Sequence, residues 1–317
     1  MRAASAVHWP HPLSVRHRNL LEGVWRLVDP KIALASLVPF IVGTALAGDR
    51  RATIPWGLAL GAFLAIFFVE VGKNAVNDLY DFRSGADTAV RPEERSPFSG
   101  GKRVLVDHLV TERDLVVIAW IAFAAAGVIG VEIATRTRPA LLLLGAVAAL
   151  ISIVYAAPPI KLASRGLGEL AVFAVYGPGI ILGTLLLLRA EITAEALIVA
   201  IALGLLIANV LLVNEIPDER ADRVAGKRTL VVRLGRDRSE TLIAAVFMVA
   251  FLVPAIAASY GFGPFRLNAL LAAVPAAAFA ASALRRTTHG PPVAAQTLTL
   301  VTYVVAGLGY AMAVLFL

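Results

Sequence analysis

Apolar runs of bilayer-crossing length alternate with short polar stretches along this chain. They cover residues 31–48, 54–76, 114–134, 139–155, 167–188, 194–213, 240–260, 267–284 and 295–316. About 20 apolar residues take a helix across the hydrocarbon core. The pattern therefore predicts an all-α integral membrane protein of about nine transmembrane helices. Gly and Pro recur inside the runs, as they do in membrane helices. Two polar stretches, 78–113 and 214–238, are longer than antiparallel neighbours need, and long loops commonly carry function. Residues 1–30 form an N-terminal segment ahead of one membrane domain, 31–317.

Composition sharpens this picture. The chain is 59% apolar with a mean hydropathy of +0.79, and a soluble fold of that composition would expose a vast apolar surface. Lys and Arg placement sets the orientation. With a cytoplasmic N-terminus, one side collects Arg83, Arg91, Arg95, Lys102, Arg103, Arg113, Lys161 and Arg165, the seven Lys and Arg between 220 and 238, then Arg285 and Arg286. The other side has only Arg50, Arg51, Arg136, Arg138, Arg189 and Arg266. That asymmetry obeys the positive-inside rule. Most of the net charge of +7 is then cytoplasmic, where anionic lipid headgroups attract it. No interleaving of basic and aromatic residues accompanies the charge, so nucleic acid is not an expected partner. Cysteine is absent, which excludes disulfides and thiolate metal sites. His8, His11, His17, His108 and His289 are scattered without metal-ligand spacing. The first thirty residues lack the apolar core of a cleavable signal.

The chemistry gathers where two apolar runs end. Asn77-Asp78-Leu79-Tyr80-Asp81 follows the run from Ile54, and Asn214-Glu215-Ile216-Pro217-Asp218, continued to Asp222, follows the run from Ala194. Positions i and i+4 share one face of a helix, so each motif is expected to aim several oxygens at one point. Carboxylates at membrane depth are costly and mark functional sites. Magnesium takes one or two carboxylates, waters and substrate phosphates. Asp78, Asp81 and Asp87 with Asn77 make one candidate shell, and Asp218 and Asp222 with Asn214 another. Arg91, Lys102, Arg103, Lys161, Lys227 and Arg228 suit nonbridging phosphate oxygens, although positive-inside bias alone would set part of them there. Carboxylates ringed by cations point to a diphosphate site more than to a cation pore.

Two more charges lie inside apolar runs. Glu169 can orient a ligand or pair with Arg165 at i−4. Lys73 can pair with Glu70 or Asp81, or touch diphosphate. Tyr155, Phe173 and Tyr176 either flank a bound chain or cation or simply pack helices.

These residues carry a resemblance. The chain is similar to the UbiA superfamily of intramembrane prenyltransferases over nearly its whole length, with paired Asp-rich motifs at the ends of the second and sixth of nine helices. Stretches 214–235 (NEIPDERADRVAGKRTLVVRLG) and 166–184 (GLGELAVFAVYGPGIILGT) are similar to its 1,4-dihydroxy-2-naphthoate polyprenyltransferase branch, which serves menaquinone synthesis. Gly85 stands where many members carry a further aspartate, and Asp87 lies two residues later, as in that branch. The segment Ser96-Pro97-Phe98-Ser99-Gly100-Gly101-Lys102-Arg103 is less typical of it.

The resemblance implies a UbiA-type bundle and Mg²⁺-dependent transfer from a polyprenyl diphosphate to an aromatic acceptor, at the cytoplasmic side of the cell membrane. It gives catalytic roles to Asp78, Asp81, Asp218, Asp222 and Lys161. Two alternatives stay open, a transferase with the same donor and another acceptor, and a cation-coupled transporter. A transporter's acids belong mid-span at broken helices, whereas these lie at the ends of runs.

Overall fold

The computed structural model describes residues 12–49 and 53–316. Arg50 and Arg51 of the charge count, and His8 and His11, lie outside them. Among the described residues the chain is helical and has no strand. Helices α1 (Pro12–Val28) and α2 (Pro30–Asp49) meet at Asp29, and α3 (Trp56–Ser84) is the longest, with α4 (Ala86–Ala89) just after it. Helices α5 (Glu112–Arg136) and α6 (Ala140–Ala156) follow, then α7 (Gly168–Ala174) and α8 (Ile180–Leu187) on either side of a π-helical turn, Val175–Gly179. Next come α9 (Ala194–Glu215), the short α10 (Glu219–Val224) and α11 (Leu230–Leu234), and α12 (Arg236–Ser259). Helices α13 (Pro264–Ala269), α14 (Val274–Arg286) and α15 (Val293–Phe316) close the bundle.

The protein is a multi-pass membrane protein. Among the described residues, seven helical segments are long and apolar enough to cross a bilayer on their own, namely α3, α5, α7–α8, α9, α12, α13–α14 and α15. The two expected runs outside this set are 31–48 and 139–155. Helix α2 qualifies only together with the end of α1, across a bend of 43°, and α6 is 17 residues long. The polar lead-in also contains more structure than its sequence pattern suggested. Helix α1 buries Leu27 against Ala75, Leu79, Leu105 and Leu115, and Asn74 donates to the Leu27 carbonyl at 2.7 Å.

Helix α9 is the hub of the bundle, with 72% of its apolar window buried against 22% for α5. Lipid tails are as apolar as leucine, so close packing rather than water exclusion holds membrane helices together, and small residues let backbones approach. Gly177 and Gly204 serve this. A Cβ on Gly177 would stand 2.5 Å from the Ala200 carbonyl oxygen and 2.6 Å from the Gly204 Cα. Pro178 lies inside the π turn; it has no N–H to give an α-helical ladder, and the widened turn absorbs the gap.

Candidate active site

A cavity of about 760 Å³ opens between α3, α5, α6, α9 and the 96–102 segment, within the range of small-molecule sites. One end is walled by small and apolar residues, among them Ala126, Gly127 and Gly130 of α5 and Leu141, Gly145 and Ala149 of α6. The other end is polar and receives Asn77, Asp81, Lys102, Asn214, Asp218, Asp222 and Lys227.

The first motif rides on an unbroken helix. The first loop was expected to begin at residue 78, but α3 continues to Ser84 and ends on Gly85 in the left-handed region (φ 84°). Asn77 and Asp81 therefore share a face, and the Asn77 amide donates to Asp81 at 2.9 Å. Asp78 does not join them. One residue further is a rotation of about 100° on a helix, which turns Asp78 off the cavity wall toward the backbone of Arg103 and Leu105. It is buried there.

The second motif is jointed. Pro217 lacks the N–H that would continue α9, and its ring crowds the carbonyl four residues back. Helix α9 stops at Glu215, the Asp218 N–H reaches back only three residues to the Glu215 carbonyl (3.1 Å), and α10 begins at Glu219. Asn214, Asp218 and Asp222 are thus not stacked on one helix, contrary to the i, i+4 expectation. Tertiary contacts gather them instead. The Gly100 N–H donates to Asp218 at 3.2 Å. Arg220 pairs with Glu94 (2.5 Å) and donates to the Ala89 carbonyl, which ties α10 to the first polar stretch.

Lys227 joins the two motifs. Its ammonium lies 3.1 Å from Asp81 and 3.1 Å from Asp222, with 14% of the side chain exposed. Burial works against that charge, but the carboxylates of Asp81 and Asp222 outweigh it, and the pKa rises well above the usual lysine range. One ammonium does not balance the acids around it. Burial first, and then Asp222, pushes Asp218 up to about 7, against the Gly100 N–H. Asp87 is pushed up to about 9 by burial and then by Asp81 and Asp78. It packs against Gly101, where no Cβ would fit, and stands behind the cavity wall between the motifs rather than on it.

The donor set fits a hard cation. Asp87 Oδ2, Asp218 Oδ1 and Asn214 Oδ1 are buried oxygens without partners among the described residues, and no nitrogen or sulfur ligand stands among them. Among the described residues no three acidic or histidine side chains converge on one point. A cation that keeps waters and substrate phosphates in its shell, as magnesium does, needs no such all-protein cage.

A family model described as the UbiA prenyltransferase family matches residues 36–301. The chain belongs to the UbiA prenyltransferase family. It is a membrane prenyltransferase. It is 28% identical over 229 residues to the 1,4-dihydroxy-2-naphthoate octaprenyltransferase of Bacillus subtilis, covering 72% of this chain and 71% of that one. It is 30% identical over 221 residues to the enzyme of the same name from Mycobacterium tuberculosis, covering 70% and 73%. Among solved structures, a UbiA homolog from Archaeoglobus fulgidus bound to DMAPP and Mg²⁺ superposes with a TM-score of 0.70 at 16% identity, over 92% of this chain and 98% of that one. An apo UbiA homolog from Aeropyrum pernix K1 gives 0.63 at 20% identity, over 87% and 96%. The bundle is therefore UbiA-type.

Within this UbiA fold the expected cations divide. Lys227 and Lys102 line the cavity. Lys102 is paired with Asp29 at the bend between α1 and α2, and burial lowers its pKa. Arg91 and Arg228 are exposed and away from it, and Lys161 is off its wall. Arg103 turns back to Asp107 (3.3 Å) and the Asp87 carbonyl. Sequence distance to an aspartate did not distinguish these from Lys227. Glu169 does not pair with Arg165, which donates to the Pro159 carbonyl. It accepts from the Leu230 N–H at 3.2 Å and faces Glu215, a buried cavity residue that sequence reasoning had passed over. Tyr155 and Tyr176 line the cavity, whereas Phe173 packs against Gly204.

Proposed function

We propose that this UbiA prenyltransferase transfers a polyprenyl group from polyprenyl diphosphate to 1,4-dihydroxy-2-naphthoate, a step of menaquinone synthesis, with its polar mouth and N-terminus in the cytoplasm and the bundle in the cell membrane. The observation that carries the reading is Lys227, an ammonium held between two Asp-rich motifs at the polar end of an apolar cavity. The names of the Bacillus and Mycobacterium relatives supply the acceptor. The transporter reading is set aside, because its acids belong mid-span and family membership is that of a transferase.

Asn77 and Asp81 from one side, and Asn214, Asp218 and Asp222 from the other, would hold Mg²⁺, with Asp87 and Asp78 buried behind them. When bound, Mg²⁺ neutralises charge developing on the departing diphosphate, which lowers the barrier to allylic C–O cleavage. Lys227 shares the negative charge of the diphosphate oxygens. The small and apolar walls of α5 and α6 take the isoprenoid and keep water from the allylic cation. The C–O bond breaks with its electron pair leaving on diphosphate. The ring carbon bearing the carboxylate forms the new C–C bond, and that carboxylate departs as CO₂ while its electron pair returns to the ring.

The test is a membrane assay with radiolabelled polyprenyl diphosphate, Mg²⁺ and a panel of acceptors. Prenylated, decarboxylated naphthoquinol is the expected product. Transfer only to another acceptor would replace the acceptor and keep the mechanism. No transfer to any aromatic ring by folded protein would overturn the proposal.

A further inference from the structure

One charged cluster in the cavity is left unused by the diphosphate chemistry. Lys73 and Glu70 lie one and two turns before Asn77 on the cavity face of α3, roughly 6 and 10 Å deeper at the helical rise. The Lys73 ammonium donates to the Tyr176 hydroxyl at 2.7 Å, lies 5.4 Å from the centre of its ring, and stands 3.9 Å from Glu70 Oε2. Lys73 makes no bridge to Asp81, whose ammonium partner is Lys227. The Tyr176 hydroxyl is also in hydrogen-bonding reach of Glu70, and it is set there by the π turn between α7 and α8, a feature common at functional sites.

Two capacities remain open. Glu70 is 7% exposed, and its Oε1 atom has no partner among the described residues, a costly state for a buried acceptor. Lys73 uses one of its three N–H groups on Tyr176 among the described residues. We propose that Lys73 and Glu70 form the acceptor subsite and select an aromatic ring carrying a carboxylate beside a hydroxyl. The anionic oxygen goes to Lys73, and the hydroxyl donates to Glu70 Oε1. A phenol alone satisfies only Glu70, and a simple arene acid satisfies only Lys73. The 3.9 Å between the two side chains suits neighbouring substituents on one ring. A diphosphate would instead bring its oxygens against the Glu70 carboxylate. This inference rests on the prenyl-transfer reading for its reaction and names the substrate class that the same cavity takes.

Fluorescence titration of the detergent-solubilised full chain with 1-hydroxy-2-naphthoate and with 1-naphthol tests it. Wild-type protein binds the hydroxy acid more tightly. Lys73→Gln weakens the hydroxy acid by about tenfold or more, as loss of a hydrogen bond to a charged group does, and moves 1-naphthol by less than about threefold; Lys73→Arg recovers part of the loss. Because Lys73→Gln leaves Glu70 without its cation, the neutral double variant Lys73→Gln with Glu70→Gln is read in parallel. In turnover, the acceptor KM rises while the KM for prenyl diphosphate holds. Equal affinity of the wild type for both probes, an equal fall for both in the variants, or a matching rise in the prenyl diphosphate KM would overturn the subsite. Discrimination between the probes without transfer to any aromatic ring would sink the proposed reaction and leave the subsite standing.

Discussion

The two Asp-rich motifs look alike in sequence and are built in opposite ways. The first is a rigid ledge, with Asn77 and Asp81 fixed by one continuous helix that spans the membrane. The second is a joint, broken at Pro217 and gathered by Gly100, Lys227 and the Arg220–Glu94 pair. A ledge keeps its geometry whatever happens around it, whereas a joint keeps its geometry only while its neighbours stay in place. One half of the site is therefore preorganised by secondary structure and the other by tertiary contacts.

Breaking the charge on either side should have the largest effect and should not distinguish them. Asp81→Asn and Asp218→Asn each lower turnover by about 10²-fold or more, the scale of lost transition-state electrostatics, while both proteins still insert and fold. If both variants kept wild-type turnover, the shared-site mechanism would be wrong. Lys227→Met comes next. It strips the cation from two buried carboxylates, which costs on the order of a few kcal/mol, so thermal unfolding in EDTA shifts down and added Mg²⁺ recovers most of the shift. An unchanged melting temperature in EDTA would show that Lys227 does not hold the motifs together.

The pH response follows from Asp218 and Asp87. Their pKa values of about 7 and about 9 exceed the usual carboxylate value near 4. Between roughly pH 4 and 9 the folded state then binds more protons than the unfolded chain, so metal-free stability falls as pH rises through that window. The raised Lys227 pKa acts above the window, since its contribution is present below the ordinary lysine pKa. Mg²⁺ competes with those protons, so its apparent affinity climbs over the same range. A metal-free melting temperature that increases from pH 5 to 8.5 would contradict this. The smallest effect separates ledge from joint. Pro217→Ala restores the missing N–H and lets α9 run on, raising the KM for prenyl diphosphate by about threefold through the second motif alone, with the Asn77–Asp81 geometry untouched.

Much of this was legible before the structure. Hydropathy located the long helices after residue 30 but not α1 in the polar lead-in, and the i, i+4 spacing of Asn77 and Asp81 described their contact correctly because nothing interrupts α3. The same rule failed for Asn214 and Asp218, although Pro217 was there to be weighed. The spacing also hid the rotation that sends Asp78 away from its neighbours. Lys227 and Arg228 are adjacent in sequence, and only the turn after α10, closed by the Lys227 N–H on the Asp222 carbonyl (2.8 Å), decides that the first faces the cavity and the second the solvent. Lys73 was ambiguous from sequence because its partner Tyr176 lies 103 residues away on another helix.

The ammonium between Asp81 and Asp222 has a consequence for biogenesis. Zinc fingers and many other small metal-binding domains stay unfolded until their ion arrives. Here the chain brings its own cation, Lys227, to the seam between the first and second halves of the bundle. That pairing gives the two halves a contact that needs no divalent ion, one on which they can come into register during assembly in the bilayer.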